Sequence, residues 1–165
     1  MRNGSQRTGD SVAAAIDRYG TMVYRLAYAR TRSAADADDI FQEVFLKLLT
    51  HAPAFQSDGH EKAWLIRSTV NASVNLLKSA WRRLEGAPLP DSPPAPAPLR
   101  DEALADALAS LSAKSRVVIH LYYYEGMTTD EIAEALGAKP ASVRARLSRG
   151  RKQLKRLLTE REEEM

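Results

Sequence analysis

Read for polarity alone, the chain falls into stretches in which apolar residues return every three or four positions. That is the period of a helix burying one stripe. Val12, Ile16, Tyr19, Val23 and Leu26 form the first such set. A second helix begins near Ala34, with Asp36, Asp38 and Asp39 crowding its first turns, where carboxylates cap free amides and meet the positive end of the dipole. Its apolar residues are Ile40, Phe41, Val44, Phe45, Leu48 and Leu49, an arc wider than one core stripe, and Pro53 ends it. Such a surplus suits a partner-facing surface. The loop AFQSDGHEK then leads into a third helix from about Ala63 to Arg83, with Ile66, Val70 and Leu77 on its apolar side. No long stretch alternates with the period of two that a half-buried strand requires, so the fold class is all-α.

Six of the eight prolines fall between Pro88 and Pro98. This run can hold neither helix nor sheet interior and reads as an extended linker. The chain therefore divides into a helical module at 1–84, a Pro-rich linker at 85–100 and a second helical module at 101–165. In the second module Leu104, Leu108 and Leu111 mark one helix, and Val117 to Tyr124 a second that ends at Gly126. Thr129 is placed to cap a short helix with Ile132, Ala133 and Leu136 facing inward; Gly137 breaks it, and Pro140 opens a last helix. A short helix, a glycine turn and a basic second helix make a helix-turn-helix.

Composition narrows the chemistry. The 165 residues include no cysteine and three histidines, which excludes disulfides, thiolate nucleophiles and Cys-ligated metals, and leaves little for a metal site. No cofactor is expected. Apolar runs are far shorter than the ~20 residues of a membrane span, so the chain is read as cytoplasmic, without membrane insertion. The net charge of +3 conceals a segregation of sign. Lys139 to Leu158 holds eight basic residues and no acid, Arg67 to Arg83 four bases and no acid, and Asp36 to Glu43 four carboxylates and no base. Two basic stretches far apart in sequence point to two contacts on one polyanion.

On the last helix, Val143, Leu147, Leu154 and Leu158 line one side while Arg144, Ser148, Arg149, Lys152 and Lys155 cover the opposite arc. A solvated surface helix normally mixes signs, and the small residues Ala141, Ser142 and Ala145 admit close approach to a groove. On the third helix, Arg67, Asn71, Asn75, Lys78 and Arg82 follow helical steps with Trp64 at the upstream end. Cations and amides in line beside an aromatic suit a phosphate track next to unstacked bases, although a lone Trp is equally well a core residue. The acidic helix carries a D-x-D-D spacing from Asp36 to Asp39. An acid-initiated cyclase needs a large apolar cavity, and Mg²⁺ chemistry needs further ligands and a phosphate cradle. No enzyme is therefore read from it.

Taken in order, ADADDIFQEVFLKLL, HEKAWLIRSTVNASVNLLKSAWRR and LSAKSRVVIHLYYYEGMTTDEIAEALGAKPASVRARLSRGRKQL resemble a bacterial RNA polymerase sigma factor of the extracytoplasmic-function (ECF) group, within the sigma-70 family. The resemblance implies a region-2 module and a region-4 module, a core RNA polymerase partner engaged at the β′ clamp helices and β flap, promoter DNA, and an anti-sigma factor. It implies that Asp39, Gln42, Glu43, Phe45 and Leu46 dock on the clamp helices. Phe55, Trp64, Arg67, Asn71, Asn75 and Lys78 would open and hold the minus-10 element, with the loop from Phe55 to Ala63 taking part. Ser142, Arg144, Ala145, Arg146, Ser148, Arg149 and Arg151 would meet the minus-35 element, Arg146 and Arg151 nearer phosphate. Ser68-Thr69-Val70 and Ala145 depart from the commonest family pattern, which bears on base preference. The competing reading is a stand-alone helix-turn-helix regulator with a ligand-sensing N-terminal module. The second basic helix with Trp64 and the segment DDIFQEVF have no role in it.

Overall fold

Seven α-helices and no strand make up the described residues, as the apolar period predicts. The computed structural model describes the backbone of residues 9–84 and 102–164 and the side chains of 9–79 and 102–164. The chain separates into two compact units, Met1–Pro90 and Asp91–Met165. The Pro-rich linker expected at 85–100 lies outside the described residues, as does the side chain of Arg82.

In the first unit α1 (Gly9–Thr31), α2 (Ala34–His51) and α3 (Asp58–Leu84) each pack against the other two. Val23, Leu26, Ile40, Val44, Leu48, Leu65 and Ile66 are shut from solvent. The α1–α2 corner is tight. Arg32 takes the left-handed conformation, φ 58°, and its N–H closes on the Tyr28 carbonyl at 2.7 Å. Ser33 caps α2 by accepting from the Asp36 amide at 3.2 Å. Its serine, and not the carboxylates, therefore supplies the cap. Ala52, preceding Pro53, is extended, which ends the helix. The third helix begins at Asp58, earlier than the sequence pattern suggests. Ser57 Oγ accepts from the His60 amide at 3.1 Å, and Asp58 and Glu61 sit in the first turn. Gly59 and His60 hide this start from a reading based on apolar period. The apolar side of α3 also shifts. Leu65, Ile66, Ala72 and the hydroxyls of Ser68, Thr69 and Ser73 are buried, whereas Val70 is half-buried and Leu77 exposed. Thr69 Oγ1 donates to the Leu65 carbonyl at 2.6 Å, which satisfies that buried hydroxyl.

In the second unit α4 (Glu102–Ser110), α5 (Ala113–Tyr123) and α6 (Thr129–Leu136) all pack on the long α7 (Pro140–Glu163). The α6 cap is Thr128, one residue before the expected Thr129. Its hydroxyl accepts from the Glu131 amide and the Glu131 carboxylate accepts from the Thr128 amide, both at 3.1 Å. This reciprocal pair is a capping box. Gly137, φ 65°, then turns the chain, and Pro140 opens α7 at its first turn. The buried face of α7 is Val143, Leu147 and Gly150, with Leu154 and Leu158 half-buried. At Gly150 α7 packs tightly against α5, since a Cβ there would lie 2.5 Å from Ile119 Cδ1. Among the described residues no helix is long and apolar enough to cross a membrane.

Candidate nucleic-acid and partner interfaces

The acidic end of α2 presents Asp39, Gln42, Glu43 and Leu46 to solvent. Their steps of three, one and three put them on one face. Leu46 is 61% exposed, the most exposed of the large apolar side chains among the described residues. Phe45 is a correction. It is 4% exposed and its ring lies 4.7 Å from that of Phe41. Because α2 packs on both α1 and α3, its apolar arc must be wide, and the apparent surplus at Phe45 is core. Leu46 alone remains as the apolar residue of the outward face.

On α3, Arg67, Asn71, Asn75 and Lys78 are all exposed and follow steps of four, four and three. At the upstream end Trp64 is half-buried, so it is neither wholly core nor wholly free. Phe55 meets it edge to face at 5.7 Å, His60 meets Phe55 at 5.1 Å, and Lys47 Nζ of α2 lies 5.9 Å from the Trp64 ring centroid. The aromatic group was legible only through Trp64 and Phe55; His60 and Lys47 join it because α3 starts early and α2 runs alongside. The first turn of α3 is tied to α1. Arg18 pairs with the Asp58 carboxylate at 3.0 Å, and the Tyr19 hydroxyl donates to the Asp58 carbonyl at 3.3 Å. Burial pushes the Tyr19 pKa up. Residues 58–63, expected as part of a loop, are thus helical and anchored.

On α7, Arg144, Ala145, Ser148, Arg149 and Arg151 are exposed, while Ser142 and Arg146 are half-buried. Arg144 lies 4.0 Å from Asp130 in the first turn of α6. Arg151 turns toward α5, where its Nε donates to the Tyr123 hydroxyl at 2.5 Å. This contact was not read from the sequence, although three successive tyrosines before the turn at Gly126 were the available signal. The exposed arc carries cations without an aromatic on its own helix, in contrast to α3. It combines cations with the Ser148 hydroxyl, whereas α3 combines cations, amides and rings.

Two sequence families match the two units of the chain. Residues 15–83 match the family Sigma-70 region 2, and residues 101–154 match Sigma-70, region 4. The chain is 33% identical to the ECF RNA polymerase sigma factor SigL of Mycobacterium tuberculosis, covering 81% of each protein. It is 32% identical to the ECF RNA polymerase sigma factor SigE of Mycolicibacterium smegmatis, over 90% of this chain and 63% of that protein's length. Among solved structures it resembles the sigma factor RpoE in complex with the anti-sigma factor NepR from Bartonella quintana. The TM-score is 0.74 at 21% identity, over 89% of this chain and 96% of that one. It also resembles CnrH in complex with the cytosolic domain of CnrY, with a TM-score of 0.66 at 23% identity, over 92% and 90%.

Proposed function

The chain belongs to the ECF group of the sigma-70 family, and from that premise we propose how its faces divide the work of a sigma factor. It joins core RNA polymerase and directs promoter-specific initiation of transcription. Residues 1–84 act as region 2, 85–100 as the linker and 101–165 as region 4. Asp39, Gln42, Glu43 and Leu46 dock on the β′ clamp helices, with Phe45 holding the helix from inside. Region 4 sits near the β flap. Phe55, Trp64, Arg67, Asn71, Asn75 and Lys78 take the minus-10 element as it opens. Melting is driven by favourable contacts to unpaired bases, and ring and amide contacts distinguish an opened strand from a duplex where cations alone do not. Arg144, Ala145, Ser148 and Arg149 read base edges of the minus-35 major groove, with Ser142, Arg146 and Arg151 toward the backbone.

The chemistry of RNA synthesis stays with the core enzyme, and the chain contributes no catalytic group of its own. It acts in the cytoplasm, where the polymerase is. An anti-sigma factor that covers Leu46 and the α7 arc would hold it inactive; the fold shared with RpoE, solved in complex with the anti-sigma factor NepR, supports that reading. One observation carries the assignment. Two separate exposed cationic faces, one beside rings on α3 and one on α7, occur in a chain whose α2 leaves Leu46 61% exposed. A stand-alone regulator accounts for the α7 face only. Run-off transcription with core enzyme over a library of candidate promoters should yield chain-dependent initiation. No initiation, together with tight operator binding in the absence of polymerase, would sink the proposal in favour of the regulator.

A further inference from the structure

The opening turns of α3 lie outside the core. From Asp58 to Trp64 no residue is buried, and Leu65 is the first that is. Gly59 and His60 are poor helix formers, and the leading amides of a helix have no partner within it. Ser57 supplies one local cap, its Oγ accepting from the His60 amide at 3.1 Å. A helix start with so little burial frays unless something else holds it. Two successive residues of α1 do so, and both reach Asp58. The Tyr19 hydroxyl donates to the Asp58 carbonyl at 3.3 Å, and the Arg18 guanidinium donates to its carboxylate at 3.0 Å. Tyr19 is 8% exposed, whereas Arg18 and Asp58 stand in solvent.

The ring group hangs on this turn. His60 Nδ1 accepts from the Gln56 amide at 3.2 Å, and the His60 ring meets that of Phe55 edge to face at 5.1 Å. Phe55 in turn meets Trp64 at 5.7 Å. Both His60 contacts depend on residues 58–61 being helical, because the winding of that turn sets where position 60 stands relative to 56. Phe55 therefore keeps its place beside Trp64 through His60, and His60 keeps its place through Asp58.

We propose that Tyr19 and Arg18 are positioning residues for capture of the opened strand: α1 grips Asp58, and the grip holds Phe55 and Trp64 where they meet an unstacked base. The inference rests on the reading of the α3 face as the minus-10 contact. Neither α1 residue touches DNA in it. Their weights follow from burial, since a pair as exposed as Arg18 and Asp58 is weak and screened by salt, whereas the Tyr19 bond starts from a buried side chain. Tyr19 is the stronger of the two.

The experiment is fluorescence anisotropy of the full chain bound to core RNA polymerase, with labelled probes from a promoter at which the wild-type chain initiates. The probes are the minus-10 non-template strand alone, the same segment as duplex, and a duplex holding only the minus-35 element. Tyr19→Phe keeps the ring and removes the donor. It should weaken the single strand by roughly three- to tenfold and leave the minus-35 duplex unchanged. Arg18→Gln should weaken the strand by up to about fivefold, the difference fading as salt rises, and Arg18→Lys should bind close to wild type. In a Phe55→Ala background Tyr19→Phe should cost nothing further, because Tyr19 acts through Phe55. An equal cost in both backgrounds, or equal weakening of the single strand and the minus-35 duplex, overturns the proposal. A lowered melting temperature for Tyr19→Phe with unaltered strand binding would assign the tie to bracing α1 against α3 and overturn it as well. A wild-type chain that binds the minus-10 strand and its duplex equally would refute the α3 reading itself, an outcome distinct from failure of the variants.

Discussion

Gly150→Ala should destabilise the second unit, although alanine is the better helix former. In an exposed helix interior the exchange gains about 1 kcal/mol. At Gly150 the new methyl would sit 2.5 Å from Ile119 Cδ1, 3.3 Å from its Cγ1 and 3.7 Å from Ser115 Cβ. Carbon atoms rest at ~3.5–4.0 Å, so Cδ1 has to retreat by ~1 Å or more. Ile119 is 3% exposed, and its displacement disturbs neighbours as well as itself. Overpacking of this kind costs about 1–3 kcal/mol. The Cδ1 methyl is a chain end and can rotate, which places the net loss at roughly 1 kcal/mol after the helix gain. Ile119→Val removes the offending methyl. Alone it should cost about 0.5–1.5 kcal/mol, but in the Gly150→Ala background it should cost nothing or restore stability. Native-state hydrogen exchange of α5 and α7 amides in the full chain measures all four corners of the cycle. A stabilised Gly150→Ala, or additive effects of the two substitutions, would refute the close approach of α7 to α5.

Three further outcomes are expected. Leu46→Ala should leave helical circular dichroism and melting within ~0.5 kcal/mol of wild type while weakening co-elution with core polymerase, whereas Phe45→Ala should cost about 3–5 kcal/mol of stability; a folded Phe45→Ala chain that merely loses polymerase would reverse their roles. Arg149→Ala should change which minus-35 sequences are selected, a bidentate Arg on guanine being worth ~1–3 kcal/mol of discrimination, while Lys155→Ala should weaken all sequences alike and lower the salt slope by about 0.9. Unaltered selection after Arg149→Ala would show that Arg149 is a backbone contact. With core enzyme present, the chain should prefer the non-template strand of a minus-10 oligonucleotide to its duplex, and Asn71→Ala should shrink that preference; equal loss for both forms would make α3 an electrostatic surface only.

The helices were legible wherever an apolar stripe or a strong local signal marks them. Ala34 opens α2, Gly137 turns with φ 65° and Pro140 begins α7, because capping, left-handed backbone and the missing proline amide act within a few residues. The start of α3 escaped because Gly59 and His60 are poor helix formers, and the cap at Ser57 is a local hydrogen bond that apolar period does not register. Small residues misled in the same way. Ala105, Ala107 and Gly150 are buried, yet a search for large apolar residues passes over them. Arg67, Asn71, Asn75 and Lys78 on α3 and Arg144, Ser148, Arg149, Lys152 and Lys155 on α7 are exposed as their period implies, since exposure follows from period once the core stripe is placed. The Tyr123–Arg151 bond joins residues 28 positions apart on different helices, and nothing in local pattern specifies such a contact.

Phe45 and Leu46 show why the proposed docking face on α2 was the least legible of the three faces. Adjacent residues on a helix differ by 100°, so a wide core arc and a partner-facing apolar residue are continuous in sequence. The surplus of apolar residues on α2 was real, but its division between core and surface depends on how many helices α2 touches. With both α1 and α3 against it, the arc takes in Ile40, Phe41, Val44, Phe45 and Leu48, and the boundary falls between Phe45 at 4% and Leu46 at 61% exposure. Leaving a leucine so exposed beside Glu43 and Gln42 forgoes burial worth about 1–2 kcal/mol within the free chain. That free energy is available when a partner covers the residue. On the proposed reading, the α2 face calls for an apolar contact ringed by groups able to pair with carboxylates, whereas the α3 and α7 faces call for phosphate together with base contacts, to unstacked bases at α3 and to groove edges at α7.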